Sequence, residues 1–190
     1  TLSLAACGSK TDTAANGNGV LVKNVITEHL DPFLSKLEEM GVRMEIDEDE
    51  IYVPGGDVLS PVNIKTSPFP GFATDLQQPI TPLLMQARGS STIIDTLYPE
   101  RTKHIPEMQR MGAKISSKDG IITVGHSTDL SGTVVEAGEI RAGVSLVGLA
   151  LMAKGTTVIN KADNILRGYD RIVEKFRGLS VDLEVINESE

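Results

Sequence analysis

The hydrophobic positions of this chain form a pattern that is itself repeated. Three glycine-led segments, Gly19-Val-Leu-Val-Lys-Asn-Val, Gly89-Ser-Ser-Thr-Ile-Ile-Asp and Gly155-Thr-Thr-Val-Ile-Asn-Lys, each read as a strand and lie roughly 70 and 66 residues apart. Each is followed by apolar residues spaced three apart: Leu34, Leu37 and Met40, then Ile105, Met108 and Met111, then Val173, Phe176 and Leu179. That spacing puts an apolar stripe on a helix. Gly41 and Gly112 stand where a helix would close in a left-handed cap; in the third copy Ser180 takes that place, with Gly178 just before it. Strands follow at 43–46 and 50–53, at 113–116 and 121–124, and at 182–186. The polar turns Asp47-Glu48-Asp49 and Lys118-Asp119-Gly120 suit hairpins.

Copies two and three also carry a helix ahead of the glycine, at 76–88 and 140–154. The second is apolar on nearly every face (Val144, Leu146, Val147, Leu149, Leu151), so burial is expected. Pro79 and Pro82 predict a bend or a late start in the first. In copy one, 1–7 reads as the tail of such a helix, with the leading strand missing. The expected unit is strand, helix, strand, helix, strand, strand, within a single domain spanning 1–190. Its repeats are placed at about 1–58, 59–128 and 129–190, with apolar helices inside and sheets around them.

Composition narrows the function classes. A chain of 190 residues with 40% hydrophobic and 23% charged residues is globular, and its net charge of −8 disfavours nucleic acid and anionic membranes. No apolar run approaches the roughly 18 residues of a bilayer span. Cys7 is the single cysteine, which excludes an intrachain disulfide and a cysteine metal cluster. Leu4-Ala-Ala-Cys7-Gly-Ser9 has the form of a lipoprotein cleavage box. Neither a basic segment nor a long apolar stretch stands before it, so it is expected to be a chance string. His29, His104 and His126 lack metal-ligand spacing, and no metal is expected.

Comparing equivalent repeat positions exposes candidate chemistry. Twelve residues after the three leading glycines stand Asp31, Arg101 and Arg167. Asp31-Pro32 is an ordinary helix start, whereas an arginine there opposes the partial positive charge of a helix N-terminus. The two arginines are either solvated surface groups or part of an anion site. Counted back from Gly89 and Gly155, Asp75 and Arg141 also occupy one repeat position, with Glu139 beside the latter. Thr74-Asp75 is either a helix cap or one side of an edge facing a ligand.

Four segments carry a resemblance: Phe69-Pro-Gly-Phe-Ala-Thr-Asp-Leu-Gln-Gln78, Thr96-Leu-Tyr-Pro-Glu-Arg-Thr-Lys-His-Ile-Pro-Glu-Met-Gln-Arg-Met-Gly112, Glu139-Ile-Arg-Ala-Gly-Val-Ser-Leu146 and Arg167-Gly-Tyr-Asp-Arg-Ile-Val-Glu-Lys-Phe176. In this order they resemble the UDP-N-acetylglucosamine 1-carboxyvinyltransferases (the MurA family), from about Val20 to Val185. The resemblance implies the C-terminal half of such a transferase, with the inside-out α/β barrel of enolpyruvyl transferases. It implies transfer of enolpyruvyl from phosphoenolpyruvate to the 3-hydroxyl of UDP-N-acetylglucosamine, the committed step of peptidoglycan synthesis, in the cytoplasm and without a cofactor. By position, Asp75 matches the proposed general base, Leu97 the residue whose main chain meets the nucleotide sugar, and Arg167 the arginine on the phosphoenolpyruvate side. Arg101, Glu139 and Arg141 match groups around the same anionic centre. Glu139 is one methylene longer than the family's usual aspartate, and Leu166 replaces an aspartate. The family's N-terminal domain, with its lysine-asparagine pair and catalytic loop, is the expected partner, and the fragment alone is expected to be inactive. The alternatives are a 5-enolpyruvylshikimate-3-phosphate synthase-like transferase and a non-catalytic binding domain on this fold.

Overall fold

A computed structural model describes residues 2–8, by their backbone, and residues 19–187. Strand β1 (Leu2–Gly8) is followed by repeat one: β2 (Val20–Lys23), a 3-10 turn (Thr27–His29), α1 (Asp31–Glu39), β3 (Glu45–Ile46) and β4 (Glu50–Val53). Repeat two comprises β5 (Asn63–Lys65), a 3-10 turn (Thr74–Leu76), α2 (Gln77–Leu84), β6 (Ser90–Ile94), α3 (His104–Arg110), β7 (Ile115–Lys118) and β8 (Ile121–Gly125). Repeat three comprises β9 (Val134–Glu136), α4 (Ile140–Ala150), β10 (Gly155–Asn160), α5 (Asp163–Leu166), α6 (Ile172–Gly178) and β11 (Asp182–Asn187).

The strands form three sheets, ordered β11-β1-β10-β9, β2-β4-β3 and β5-β6-β8-β7. In repeats two and three a leading strand runs parallel to the glycine-led strand, β5 beside β6 and β9 beside β10, as a crossover helix requires. Helices α2 and α4 make these crossovers and pack on each other inside the sheets. Their approach is close enough that a Cβ on Gly148 would lie 3.3 Å from the Pro82 ring. Pro79 sits in the first turn of α2, where its missing N–H costs little, whereas Pro82 lies inside, and the helix stops at Leu84 rather than near 88.

The left-handed caps fall where the repeats placed them: Gly41 has φ +89, Gly112 φ +90 and Ser180 φ +61. The three stripes differ in depth. Met40, Met108 and Met111 are fully buried, but Leu179 is 47% exposed, so α6 covers the core only partly.

One expectation is corrected. Residues 2–8 are not the end of a helix; they form β1, antiparallel to both β10 and β11. Cys7 therefore lies in a strand, opposite Thr156 and Asp182. The physical reason is the third sheet. Repeat two supplies a hairpin of two strands, β7 and β8, whereas repeat three has β11 alone after α6. β1 takes the place in that sheet that β8 takes in the second, satisfying backbone groups that β10 and β11 would otherwise present as edges. The N-terminal strand thus belongs to repeat three and not to a first repeat covering 1–58.

Candidate active site

The turns that begin α2 and α4 meet at one rim. Arg141, in the first turn of α4, donates from Nη1 to Oδ1 of Asp75 at 2.6 Å and from Nη2 to Oε2 of Glu139 at 3.1 Å. Arg101, from the loop before α3, donates to the same Asp75 oxygen at 3.4 Å and to the Thr74 hydroxyl at 3.1 Å. Its guanidinium lies 3.7 Å over the Tyr98 ring. Asp75 and Arg141, equivalent by repeat counting, are thus in direct contact. Thr74 does not cap α2, because its hydroxyl is turned to Asp95.

Arg167 lines a cleft of about 520 Å³ with Asp75, Arg141 and Tyr169. It is not at a helix N-terminus, as repeat counting suggested. It is the C-cap residue of α5, an end that favours a cation. Gly168 is required beside it, since a Cβ there would lie 2.6 Å from the Ile140 side chain. A second cleft of about 510 Å³, sharing Gly138 and Glu139 with the first, is lined by Tyr98, Arg101, Lys103 and His104. Leu97 sits 39% exposed on the Arg101 loop. Its N–H donates to Asp95, leaving the carbonyl as the main-chain group it can offer a ligand.

The residue beneath this rim is Asp95, which the sequence reading did not single out. Only 4% exposed, it accepts from the hydroxyls of Thr66 and Thr74 and from the amides of Leu97 and Tyr98. Burial alone would raise its pKa. The bonds from Thr74, Tyr98, Thr66 and Leu97 outweigh that and hold the carboxyl below its ordinary range. One buried carboxylate therefore fastens the Asp75 turn and the Arg101 loop together. A signal existed, since an acidic residue ending an apolar strand requires partners, but not which partners.

The same balance operates above it. Burial pushes Glu139 up, but bonds from Gln78 and Arg141 and the charges of Arg141 and Arg101 bring it below the usual carboxylate range. Burial would lower the Arg141 pKa, yet Glu139 and Asp75 raise it, so the guanidinium stays charged. This matters because Arg141 stands at a helix end that opposes a cation. His104 is the opposite case: 1% exposed, without a hydrogen-bond partner on either ring nitrogen among the described residues, and pushed by burial down to about 4. Among the described residues no three His, Cys, Asp or Glu side chains gather in a way that could hold a metal ion, and no helix is long and apolar enough to cross a membrane.

Comparisons with known proteins bear on this arrangement. Residues 11–176 match the family model for EPSP synthase (3-phosphoshikimate 1-carboxyvinyltransferase). The UDP-N-acetylglucosamine 1-carboxyvinyltransferase 2 of Lactiplantibacillus plantarum is 54% identical over 177 residues, which are 93% of this chain and 42% of that protein. The UDP-N-acetylglucosamine 1-carboxyvinyltransferase of Lactobacillus acidophilus is 54% identical over 186 residues, 97% of this chain and 41% of that one. The chain thus spans about 42% of the length of the curated relatives it matches. Among solved structures, the enolpyruvyl transferase NikO from Streptomyces tendae superposes with a TM-score of 0.82 at 24% identity, over 90% of this chain and 41% of that one. EPSP synthase from Acinetobacter baumannii does so with a TM-score of 0.66 at 16% identity, over 90% of this chain and 44% of that one. These two likenesses establish the fold: three sheets around buried helices, the inside-out α/β barrel.

Proposed function

The chain belongs to the EPSP synthase (3-phosphoshikimate 1-carboxyvinyltransferase) family, and on that premise we propose that it forms one wall of the active site of a UDP-N-acetylglucosamine 1-carboxyvinyltransferase. The observation that carries this reading is the rim itself: one exposed carboxylate, Asp75, held by Arg141 and Arg101 and sharing a cleft with Arg167. The 54% identity to relatives bearing that enzyme name supports the choice of acceptor.

In this proposal Asp75 takes the proton from the 3-hydroxyl of UDP-N-acetylglucosamine as that oxygen bonds to C2 of phosphoenolpyruvate, while the C2–C3 π pair takes a proton at C3 from an acid on the opposite wall of the cleft. Its Oδ1 is committed to the arginines, so Oδ2 is the oxygen that meets the hydroxyl. The adduct carries phosphate and carboxylate at one carbon. Arg101, Arg141 and Arg167 supply the guanidinium groups that hold these anions until C3 gives a proton back to the opposite wall, the C2–C3 double bond re-forms and phosphate leaves. The Leu97 carbonyl contacts the nucleotide sugar. On a chain of net charge −8 these arginines focus a local positive field that draws anionic substrates. Glu139 belongs to the same cluster through its bond from Arg141. The wall opposite, including further catalytic groups, comes from another domain of the full-length protein. The enzyme would act in the cytoplasm in peptidoglycan synthesis.

The test is phosphate release from phosphoenolpyruvate by the full-length protein, with UDP-N-acetylglucosamine and shikimate 3-phosphate as parallel acceptors. Release is expected with the nucleotide sugar. Release with shikimate 3-phosphate alone, or full turnover by the 190-residue chain unaided, overturns the reading.

A further inference from the structure

We infer that Gln78 is a positioning residue, which holds Glu139 so that Glu139 aims Arg141 at Asp75. The geometry is a run of four side chains joined by three hydrogen bonds, whose two ends stand on one short stretch of backbone. Gln78 lies fully buried in the first turn of α2 and donates from Nε2 to Oε1 of Glu139 at 2.7 Å. The other Glu139 oxygen accepts from Nη2 of Arg141 at 3.1 Å. Nη1 of Arg141 then reaches Asp75 at 2.6 Å, and Asp75 stands three residues before Gln78, in the 3-10 turn that leads into α2. Both Glu139 oxygens are therefore engaged within the protein.

Two further observations point the same way. Arg141 is a long side chain at a helix end that repels it, with its Nε buried and unpartnered among the described residues. Without a fixed counter-ion it would sample several rotamers. Gln78 also carries a penalty that packing does not require: its Oε1 is buried with no partner among the described residues, where an apolar side chain like Ile80 or Leu84 would leave no polar atom unpaired. The position trades stability for the bond to Glu139.

The test uses Gln78→Leu, Glu139→Asp, which withdraws the carboxylate by one methylene, and the double variant. Gln78→Met, with similar volume, replaces the leucine variant should that fail to fold. In the 190-residue chain, carboxyl NMR titration of Glu139 is measured beside thermal unfolding. Gln78→Leu is expected to unfold no earlier than the parent while Glu139 titrates at higher pH. In the full-length enzyme, and resting on the enolpyruvyl-transfer reading, each single variant lowers kcat/KM by about tenfold or more, and the double does no worse than the weaker single. An unchanged Glu139 titration in Gln78→Leu, or losses that multiply in the double, overturns the inference. Failure of the function reading is distinguishable, because it would remove turnover from the parent and leave the titration result standing.

Discussion

Repeat one and the pair formed by repeats two and three share a backbone plan and differ in what they bury. The fully buried large side chains include Ile64, Leu84, Met108, Leu146, Leu149 and Ile159, all from repeats two and three, with Met40 as the contribution of repeat one. Repeat one otherwise gathers a small satellite cluster around Leu34, Leu37 and Ile51, and its strand β2 is exposed along its whole length. The charges follow the same division. Where repeat one has Asp31 at the start of α1, the others present Arg101 and Arg167 near the site. Crossover helices decide this. α2 and α4 bury their apolar faces on each other, and that packing brings their polar first turns to one rim, so the core contact and the Asp75–Arg141 contact are two ends of one interface.

The largest effect should come from separating those two ends. Asp75→Asn in the full-length enzyme is expected to lower turnover by about a thousandfold. It should hardly change unfolding, because Asp75 is 68% exposed and an exposed ion pair contributes about 1 kcal/mol or less. Acceptor-dependent phosphate release and urea unfolding measure both. Next, Leu146→Ala in α4 should destabilise the chain by about 3 kcal/mol, whereas Leu37→Ala in the satellite cluster should cost about 2 kcal/mol or less. Equal losses in urea would erase the contrast between the regions.

His104 tests the interior of the paired repeats by pH. Its folded pKa, about 4, lies below the unfolded value of 6.5, so the native state prefers the neutral ring. The stability it contributes is present above pH 6.5 and is lost as pH falls toward 4, a total of about 3 kcal/mol. Unfolding free energies across that range should show the slope, and His104→Phe should remove this group's share. Asp95→Asn is expected to cost about 2 kcal/mol, from weakening bonds to a charged acceptor. Amide exchange at Leu97 and Tyr98 should rise with it. Protection equal to the parent's would show that other contacts hold the Arg101 loop.

Much of this was legible in the chain. The three glycine-led strands, the stripes spaced three apart, the hairpin turns and the left-handed caps are local features, and each appeared close to its predicted place. Counting also singled out Asp75 and Arg141, 66 residues apart, and the structure puts the two side chains in contact. The misses concern pairing at a distance. Residues 2–8 carry a pattern compatible with a helix tail, and only the open place between β10 and β11 makes them a strand. Arg167 was placed at the wrong end of a helix because repeat three inserts α5 before α6. Gln78 is one polar residue in the first turn of a helix and Asp95 follows the end of a strand, and neither position names its partner.

The sequence by itself determined the repeat, its caps and the family likeness. These depend on side-chain volume, spacing and backbone freedom within a few residues, which act before any tertiary contact forms. The tertiary structure decided which charged groups meet and which are buried. A carboxylate or an amide has no preferred partner until its surroundings remove water from it. Gln78 and Glu139 acquired their partners only when α2 packed on α4, and Asp95 acquired its own when Thr66, Thr74 and the Leu97–Tyr98 amides closed around it, because burial made an unpaired polar atom costly.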